Sequence, residues 1–162
     1  MNYYQSMFKK PIQKLVFLFL ILLLQNTANA QELLLNNQLD EIIKIARNYG
    51  SATLTTQNNG NPKIIGKINH IPYTIRFLNC PRVKSCEDMN FSVGFQIKPD
   101  INIINDWNKS KRFSKAYLDD EKDVILEWDV IIAGGISIEN MDKSFSYWRL
   151  TLGQFIDHID FK

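Results

Sequence analysis

The chain lacks the motifs of the common catalytic and cofactor-binding sites. It has no G-x-S-x-G nucleophile elbow, no phosphate-binding glycine loop and no H-E-x-x-H zinc motif. Histidine is scarce, since only His70 and His158 occur, and their spacing is not that of a metal-binding pair. We therefore predict a protein that is not an enzyme and that holds no metal and no cofactor.

A basic excess is also missing from most of the chain. The 162 residues include 19 Lys and Arg against 17 Asp and Glu, but Lys9, Lys10 and Lys14 all lie in the first thirty residues. The remaining residues therefore carry a net charge near −1. Binding to nucleic acid through its phosphates requires a basic excess, so we predict no nucleic-acid partner.

The N-terminal segment, residues 1–30, has the three parts of a secretory signal peptide. Its three lysines precede an unbroken apolar run from Leu15 to Leu24, and a short polar stretch then ends in the A-x-A pattern of a cleavage site. Ten helical residues span roughly 15 Å, about half of the hydrocarbon core of a bilayer. We expect cleavage between Ala30 and Gln31, no membrane anchor after cleavage, and a periplasmic or secreted protein. An uncleaved N-terminal anchor is the alternative.

The two cysteines, Cys80 and Cys86, both lie beyond the predicted signal peptide. An even pair in an exported protein favours a disulfide. Closing this short loop would stabilise the fold by roughly 2 kcal/mol. Free thiols are the main alternative, because the spacing differs from the C-x-x-C of redox and zinc sites.

Apolar residues at helical and strand spacing predict a single α+β domain over residues 31–162. Helical periodicity indicates a first helix that Gly50 would end as a left-handed C-cap, a short second helix, and a long last helix that Ser137 would N-cap. Period-two runs indicate strands near residues 64–68, 71–77, 89–95, 113–118 and 124–132. We predict an antiparallel sheet of about six strands, in which the strands up to Phe95 form a meander and the last two pair with each other, with the helices packed on one face.

The last helix and the tryptophans carry two further predictions. Gly153 lies inside the predicted last helix, where glycine costs about 1 kcal/mol relative to alanine, so we expect another backbone to approach closely there. Trp107, Trp128 and Trp148 fall on the apolar phase of their elements. We therefore predict that the tryptophans are core anchors.

Two acidic patterns are candidate sites. Glu127 and Asp129 lie two residues apart on a predicted strand, hence on one face and roughly 7 Å apart, a separation that suits paired-carboxylate catalysis. Structural carboxylates are the alternative that we favour. The acidic stretch 119–123 offers oxygen ligands for calcium, but it lacks the D-x-[DN]-x-[DN]-G order. We interpret it as a solvated hairpin tip.

A set of residues spread from Asn58 to Phe161 matches a known family pattern. The block from Trp107-Asn108 to Asp119 is the most specific part, and the other matching residues are Gly66, Pro72, Tyr73, Phe77, Cys80, Cys86, Phe91, Gly94, Phe95, Asp129, Gly134, Gly135 and Trp148. Together they resemble the YbjN family, described as bacterial sensory transduction regulators. The resemblance implies an α+β fold similar to type III secretion chaperones and no known catalytic residues. It also implies a turn glycine where this chain has His70.

We therefore predict a non-enzymatic exported domain that binds another protein, as a regulator or as a chaperone-like module. The protein partner stays open. Because chaperones of that fold are dimers, we also expect a homodimer that forms through the last helix or the free sheet face. The alternative is a small-ligand-binding or hydrolytic domain that uses the polar sheet face near Arg76, Glu127 and Asp129. A purely structural envelope protein is a third interpretation.

Overall fold

The computed structural model describes Leu33–Leu34, residues 38–82 and residues 85–161, so the predicted signal peptide lies outside the described residues. Within these residues the helices are α1 (Leu39–Arg47), α2 (Ile101–Ser110) and α3 (Ile138–His158). The strands are β1 (Leu33–Leu34), β2 (Ser51–Thr56), β3 (Pro62–Ile68), β4 (Ile71–Leu78), β5 (Asp88–Phe95), β6 (Lys115–Leu118), β7 (Val124–Ile131) and β8 (Ile136–Ser137). This order confirms the predicted α+β class.

Six of these strands form one antiparallel sheet in the order β2-β3-β4-β5-β7-β6, and β1 pairs separately with β8. Strands β2 to β5 follow one another as a meander, as predicted. The chain then passes through α2, forms β6 at the far edge, and returns as β7 between β5 and β6. The strand pair predicted after the second helix is therefore present, and β7 joins it to the meander. Ten helical residues span roughly 15 Å, enough to carry the chain past two strand positions, which occupy roughly 10 Å.

Alternate residues of the strands point towards the helices and form the core. Phe91 on β5 has its ring centroid 5.2 Å from that of Phe145 and 5.5 Å from that of Trp148, both on α3. Trp107 and Trp148 are fully buried, and Trp128 is half-buried against the same core. All three tryptophans are thus core residues, as predicted.

The ends of the helices match the predicted capping residues at α3 but not at α1. The Oγ of Ser137 accepts a hydrogen bond from the backbone N–H of Asn140 (3.1 Å), which confirms the predicted N-cap. Helix α1 ends at Arg47, and Gly50 has a φ of 159°, close to extended, in place of the predicted left-handed C-cap. Glycine is required there for another reason, because a Cβ would collide with the carbonyl oxygen of Lys67 on β3.

The close approach of a backbone expected at Gly153 is not found within the described part of this chain. A Cβ at this position of α3 would meet no described heavy atom within 4 Å. Gly66 on β3 is instead a glycine that makes room for a neighbour. A Cβ there would lie 2.6 Å from the ring of Tyr73, its partner on β4. The missing side chain at Gly66 therefore lets the Tyr73 ring enter the core.

The loop between β4 and β5 is closed by a disulfide between Cys80 and Cys86. Cys86 is fully buried, and the backbone N–H of Glu87 donates to the carbonyl of Leu78 at 3.2 Å. The predicted pair is thus joined in the structure, at the point where the hairpin opens into its loop. Among the described residues, no helix is both long enough and apolar enough to cross a membrane.

A side chain closes the edge of the sheet at β6. The Nδ2 of Asn108 on α2 donates to the carbonyl oxygen of Ala116 (2.9 Å), and its Oδ1 accepts from the backbone N–H of Ala116 (2.8 Å). The carboxamide therefore makes the two hydrogen bonds that a further strand would make.

Candidate interaction surfaces

Three exposed apolar side chains form a contiguous surface where α3 passes the segment before β6. Phe113, Tyr147 and Leu150 are 46 %, 43 % and 55 % exposed. The rings of Phe113 and Tyr147 stack with their centroids 5.2 Å apart, and Leu150 follows Tyr147 by about one turn of α3. We call these three residues the Phe113 surface. Clustered exposed apolar side chains of this kind mark interaction sites.

Two cations border the Phe113 surface. The guanidinium carbon of Arg112 lies 4.9 Å from the centre of the Phe113 ring. The Nζ of Lys111 lies 5.5 Å from the centre of the Trp107 ring and 3.3 Å from the Oε1 of Gln154 on α3. A cavity of about 130 Å³ opens between these side chains and the Phe113 surface. The site therefore combines flat aromatic area with positive charge.

The backbone at Phe113 is held in a conformation that is rare for a bulky residue. Its φ is 60°, and the N–H of Ser114 donates to the carbonyl of Arg112 (2.8 Å), which defines a γ-turn centred on Phe113. The Nε1 of Trp107 anchors the turn by donating to the Oγ of Ser114 (3.2 Å). Because of this turn, the strand predicted from Phe113 begins only at Lys115. The turn directs the Phe113 ring towards Tyr147.

The opposite face of the sheet carries a chain of polar side chains across β4, β5 and β7. Arg76 donates from Nη1 to the Oδ1 of Asn90 (3.4 Å), and Asn90 donates from Nδ2 to the Oδ1 of Asp129 (2.8 Å). These three residues are register partners. Asn90 is 6 % exposed, so its amide is buried with its partners satisfied. The predicted polar face near Arg76 and Asp129 is therefore present.

Glu127 lies on the same face, one register row away. Its Oε2 is 3.4 Å from the Nζ of Lys115, and its side chain is only 13 % exposed. Burial and the neighbouring carboxylate of Glu127 both raise the pKa of Tyr117. Glu127 and Asp129 share one face, as predicted, but each contacts a different partner: Lys115 for the former and Asn90 for the latter.

A depression of about 300 Å³ lies on this face above the centre of β5. Its floor is low because Ser92 is small and Gly94 has no side chain, while Arg76, Ile65 and Ile125 are among the residues that line it. Ile65 is 49 % exposed. The depression thus offers one cation beside apolar walls.

Neither the histidines nor residues 119–123 are among the residues that line the depression or the cavity beside the Phe113 surface. His70 occupies the exposed β3–β4 turn with a φ of 68°. The ring of His158 contacts α2, with Nε2 2.8 Å from the carbonyl oxygen of Ile103. In the acidic stretch 119–123, the Oδ1 of Asp119 accepts from the N–H of Asp123 (2.8 Å), which closes the hairpin tip. Within the described part of the chain, no three acidic, histidine or cysteine side chains are grouped to hold a metal.

Sequence patterns did not identify the Phe113 surface or the role of Asn108. Phe113 was assigned to a strand, and no pattern singled out Tyr147, so nothing placed their rings together. Asn108 did stand out in the block that begins with Trp107, which was the most specific part of the family resemblance. That signal marked the residue without revealing its hydrogen bonds to Ala116.

The six-stranded sheet and the three helices packed on it define an α+β domain. The model of the YbjN family, described as "Putative bacterial sensory transduction regulator", matches residues 38–161. The chain belongs to the YbjN family, as the sequence indicated. No curated protein matches it. Family membership supports a regulatory or protein-binding role.

Proposed function

We propose that this YbjN-family chain acts, after export, as a non-enzymatic module that binds another protein through its Phe113 surface. The observation that carries the proposal is the stacked, exposed pair of Phe113 and Tyr147, extended by Leu150. Aromatic anchors of this kind contribute most of the binding energy in protein interfaces. The strained turn at Phe113 adds support, because strained backbone is retained where it serves a function.

The shape and charge of the surface favour a protein over a small molecule. Its cavity of about 130 Å³ is smaller than the roughly 300–1,000 Å³ typical of small-ligand pockets. Lys111 and Arg112 at its border suit a partner segment that combines apolar with acidic side chains. A regulator or a chaperone-like module would use such a surface to hold its target.

Export is part of the proposal, and it rests on the N-terminal segment and on the disulfide. Disulfides persist in oxidising compartments and are rare in reducing ones, so the Cys80–Cys86 bond agrees with a protein that leaves the cytoplasm. Intact-mass analysis of the protein recovered from the cell envelope tests this. We expect an N-terminus at Gln31, and an N-terminus at Met1 would contradict cleavage.

Photocrosslinking in cells tests the binding surface. A photoreactive amino acid at Tyr147 should yield an adduct with a distinct protein, while the same probe at Lys44, an exposed position on α1, should not. Leu150→Lys keeps an exposed helical position but places a charge in the surface, so it should abolish the Tyr147 adduct. The same adduct from both probe positions, or none from Tyr147, would contradict the proposal.

The depression on the open sheet face supports a second candidate function, small-ligand binding or hydrolysis. Arg76 beside the apolar wall of Ile125 and the small side chain of Ser92 suits a small molecule with an anionic group and an apolar part. A ligand at a hundredfold excess over its dissociation constant stabilises the folded state by about 2.7 kcal/mol. Thermal-shift screening with carboxylate and phosphate metabolites should then give a stabilising compound that no longer stabilises Arg76→Gln. Absence of any shift in the native protein would remove this candidate.

A further inference from the structure

The outer edge of the sheet at β2 presents backbone groups in a defined pattern. The N–H of Gln57 donates to the carbonyl of Asn61 (2.8 Å), so these two residues form a hydrogen-bonded pair across the β2–β3 hairpin. Hydrogen-bonded pairs alternate along antiparallel strands. The backbone groups of Ala52, Leu54 and Thr56 therefore point away from β3, towards solvent.

Only one of these outward groups has a partner among the described residues. The Nε of Arg47 donates to the carbonyl oxygen of Ala52 (3.1 Å), which agrees with the assigned direction. The other outward groups of Ala52, Leu54 and Thr56 have none within the described part of the chain. Native edge strands are protected by lysine, by proline or by a bulge, yet Ser51–Thr56 contains no charged residue and no proline.

We propose that β2 pairs antiparallel with β2 of a second copy of this chain, about a two-fold axis through Leu54. The outward residues are placed symmetrically about Leu54, so Leu54 faces its own copy and Ala52 faces Thr56. Two-fold symmetry is the commonest symmetry of homodimers and requires a self-complementary contact. Every unpaired outward group then gains a partner, and the carbonyl oxygen of Ala52, which has two lone pairs, would accept from both Arg47 and the N–H of Thr56.

The side chains of β2 fit this pairing. On the open face Thr53 meets Thr55 of the second copy, and threonine pairs across strands are favourable. On the helix face the half-buried Leu54 meets its own copy, and no like charges oppose each other because the strand has none. The contact differs from the last helix and the free sheet face predicted above. It lies at the opposite edge of the sheet from β6, so the Phe113 surface stays free for the partner of the proposed function.

Cysteine crosslinking of the full-length protein, expressed with its N-terminal segment, tests the register. At the axis the two Leu54 Cα atoms would lie about 5.5 Å apart, within the range of a disulfide. The two Thr53 Cα atoms would lie roughly 8 Å apart, which is too far. On oxidation we expect a reducible dimer for Leu54→Cys and not for the matched control Thr53→Cys. Equal yields, or a link from Leu54→Cys to a different protein, would overturn the proposal.

A proline variant tests the backbone pairing without a new thiol. Leu54→Pro removes an outward N–H and leaves the β2–β3 hydrogen bonds in place, because that N–H does not face β3. The loss of two hydrogen bonds across the axis should weaken the dimer by roughly 30-fold. Sedimentation velocity over a concentration series measures this, with the melting temperature as the check that the monomer is folded. A native protein that stays monomeric at every concentration, or a folded variant that dimerises as well as the native protein, would refute the pairing.

Discussion

The two edges of the sheet differ in how many of their outward backbone groups are hydrogen-bonded by side chains from the rest of the molecule. At β6, a strand of four residues, the carboxamide of Asn108 satisfies both outward groups of Ala116. At β2, a strand of six residues, Arg47 satisfies the carbonyl of Ala52 and no other outward group. The longer edge is thus the more open one, although long open edges favour unwanted association.

The difference follows from how each edge meets its helix. Helix α2 crosses from β5 to the far side of β7 and arrives beside β6, so its Asn108 faces the outer strand directly. Helix α1 leads straight into β2, and only Arg47 at its C-terminal end reaches the edge. Closure of an edge therefore depends on which helix residue lies beside it. An edge left open can serve for docking, as proposed for β2.

Removal of the Asn108 side chain should cause the largest loss of stability among these predictions. It would also leave the edge at β6 as open as the edge at β2. Asn108→Ala breaks two hydrogen bonds to Ala116, and we expect a loss of about 2 kcal/mol in the free energy of unfolding, at roughly 1 kcal/mol for each bond. Urea denaturation measures it. Asn105→Ala is the matched control, because Asn105 is an exposed residue of the same helix. Equal stability of the two variants would mean that Asn108 does not hold the edge.

Tyr73 lies on β4, an inner strand of the sheet, so its contribution to stability can be compared with those of the two edges. Burial raises the pKa of Tyr73 to about 12, against about 10 for a tyrosine in the unfolded chain. The folded state therefore retains a proton that the unfolded state loses, and stability falls as the pH rises through this interval. The loss is about 1.4 kcal/mol by pH 11. Denaturation at pH 8 and pH 11 should show it in the native protein.

Tyr73→Phe should remove the part of the alkaline loss that Tyr73 contributes, while Tyr49 and Tyr117, whose pKa values burial also raises, continue to contribute. No described residue accepts a hydrogen bond from the Tyr73 hydroxyl, so at neutral pH the variant should be as stable as the native protein or slightly more stable. Tyr147→Phe, at an exposed position, should retain the alkaline loss. A Tyr73→Phe variant that is clearly destabilised at neutral pH would show that the hydroxyl has a partner, and the same alkaline loss in both variants would assign it to other groups.

Local sequence patterns predicted the elements, and they failed where distant segments meet. Alternation of apolar residues located β3, β4, β5 and β7, since one face of each strand is buried against the helices. Strand β2 was missed because its short, threonine-rich sequence has only two alternating apolar residues, Ala52 and Leu54. The order of β6 and β7 was missed because it depends on the crossing of α2, which no local pattern encodes.

For the candidate surfaces too, local sequence patterns predicted some features and missed those that depend on distant segments. Glu127 and Asp129 could be placed on one face from their spacing alone, because side chains alternate along a strand. The contact between Phe113 and Tyr147 could not, since it depends on a γ-turn and on the path of α3. The resemblance to the YbjN family identified the fold but left both surfaces unassigned.

The smallest loss of stability is expected for a variant of Arg47 at the open edge, β2, and it allows the two edges to be compared directly. Arg47→Ala removes a single, partly exposed hydrogen bond to Ala52, so we expect a loss of about 0.5–1 kcal/mol, well below that for Asn108→Ala. Lys44→Ala controls for the loss of a cation in the last turn of α1, because among the described residues the polar partner of Lys44 is Glu41. Urea denaturation at a protein concentration low enough to keep the chain monomeric measures the difference. If Arg47→Ala cost as much as Asn108→Ala, β2 would be as firmly closed as β6, and the distinction between the two edges would fail.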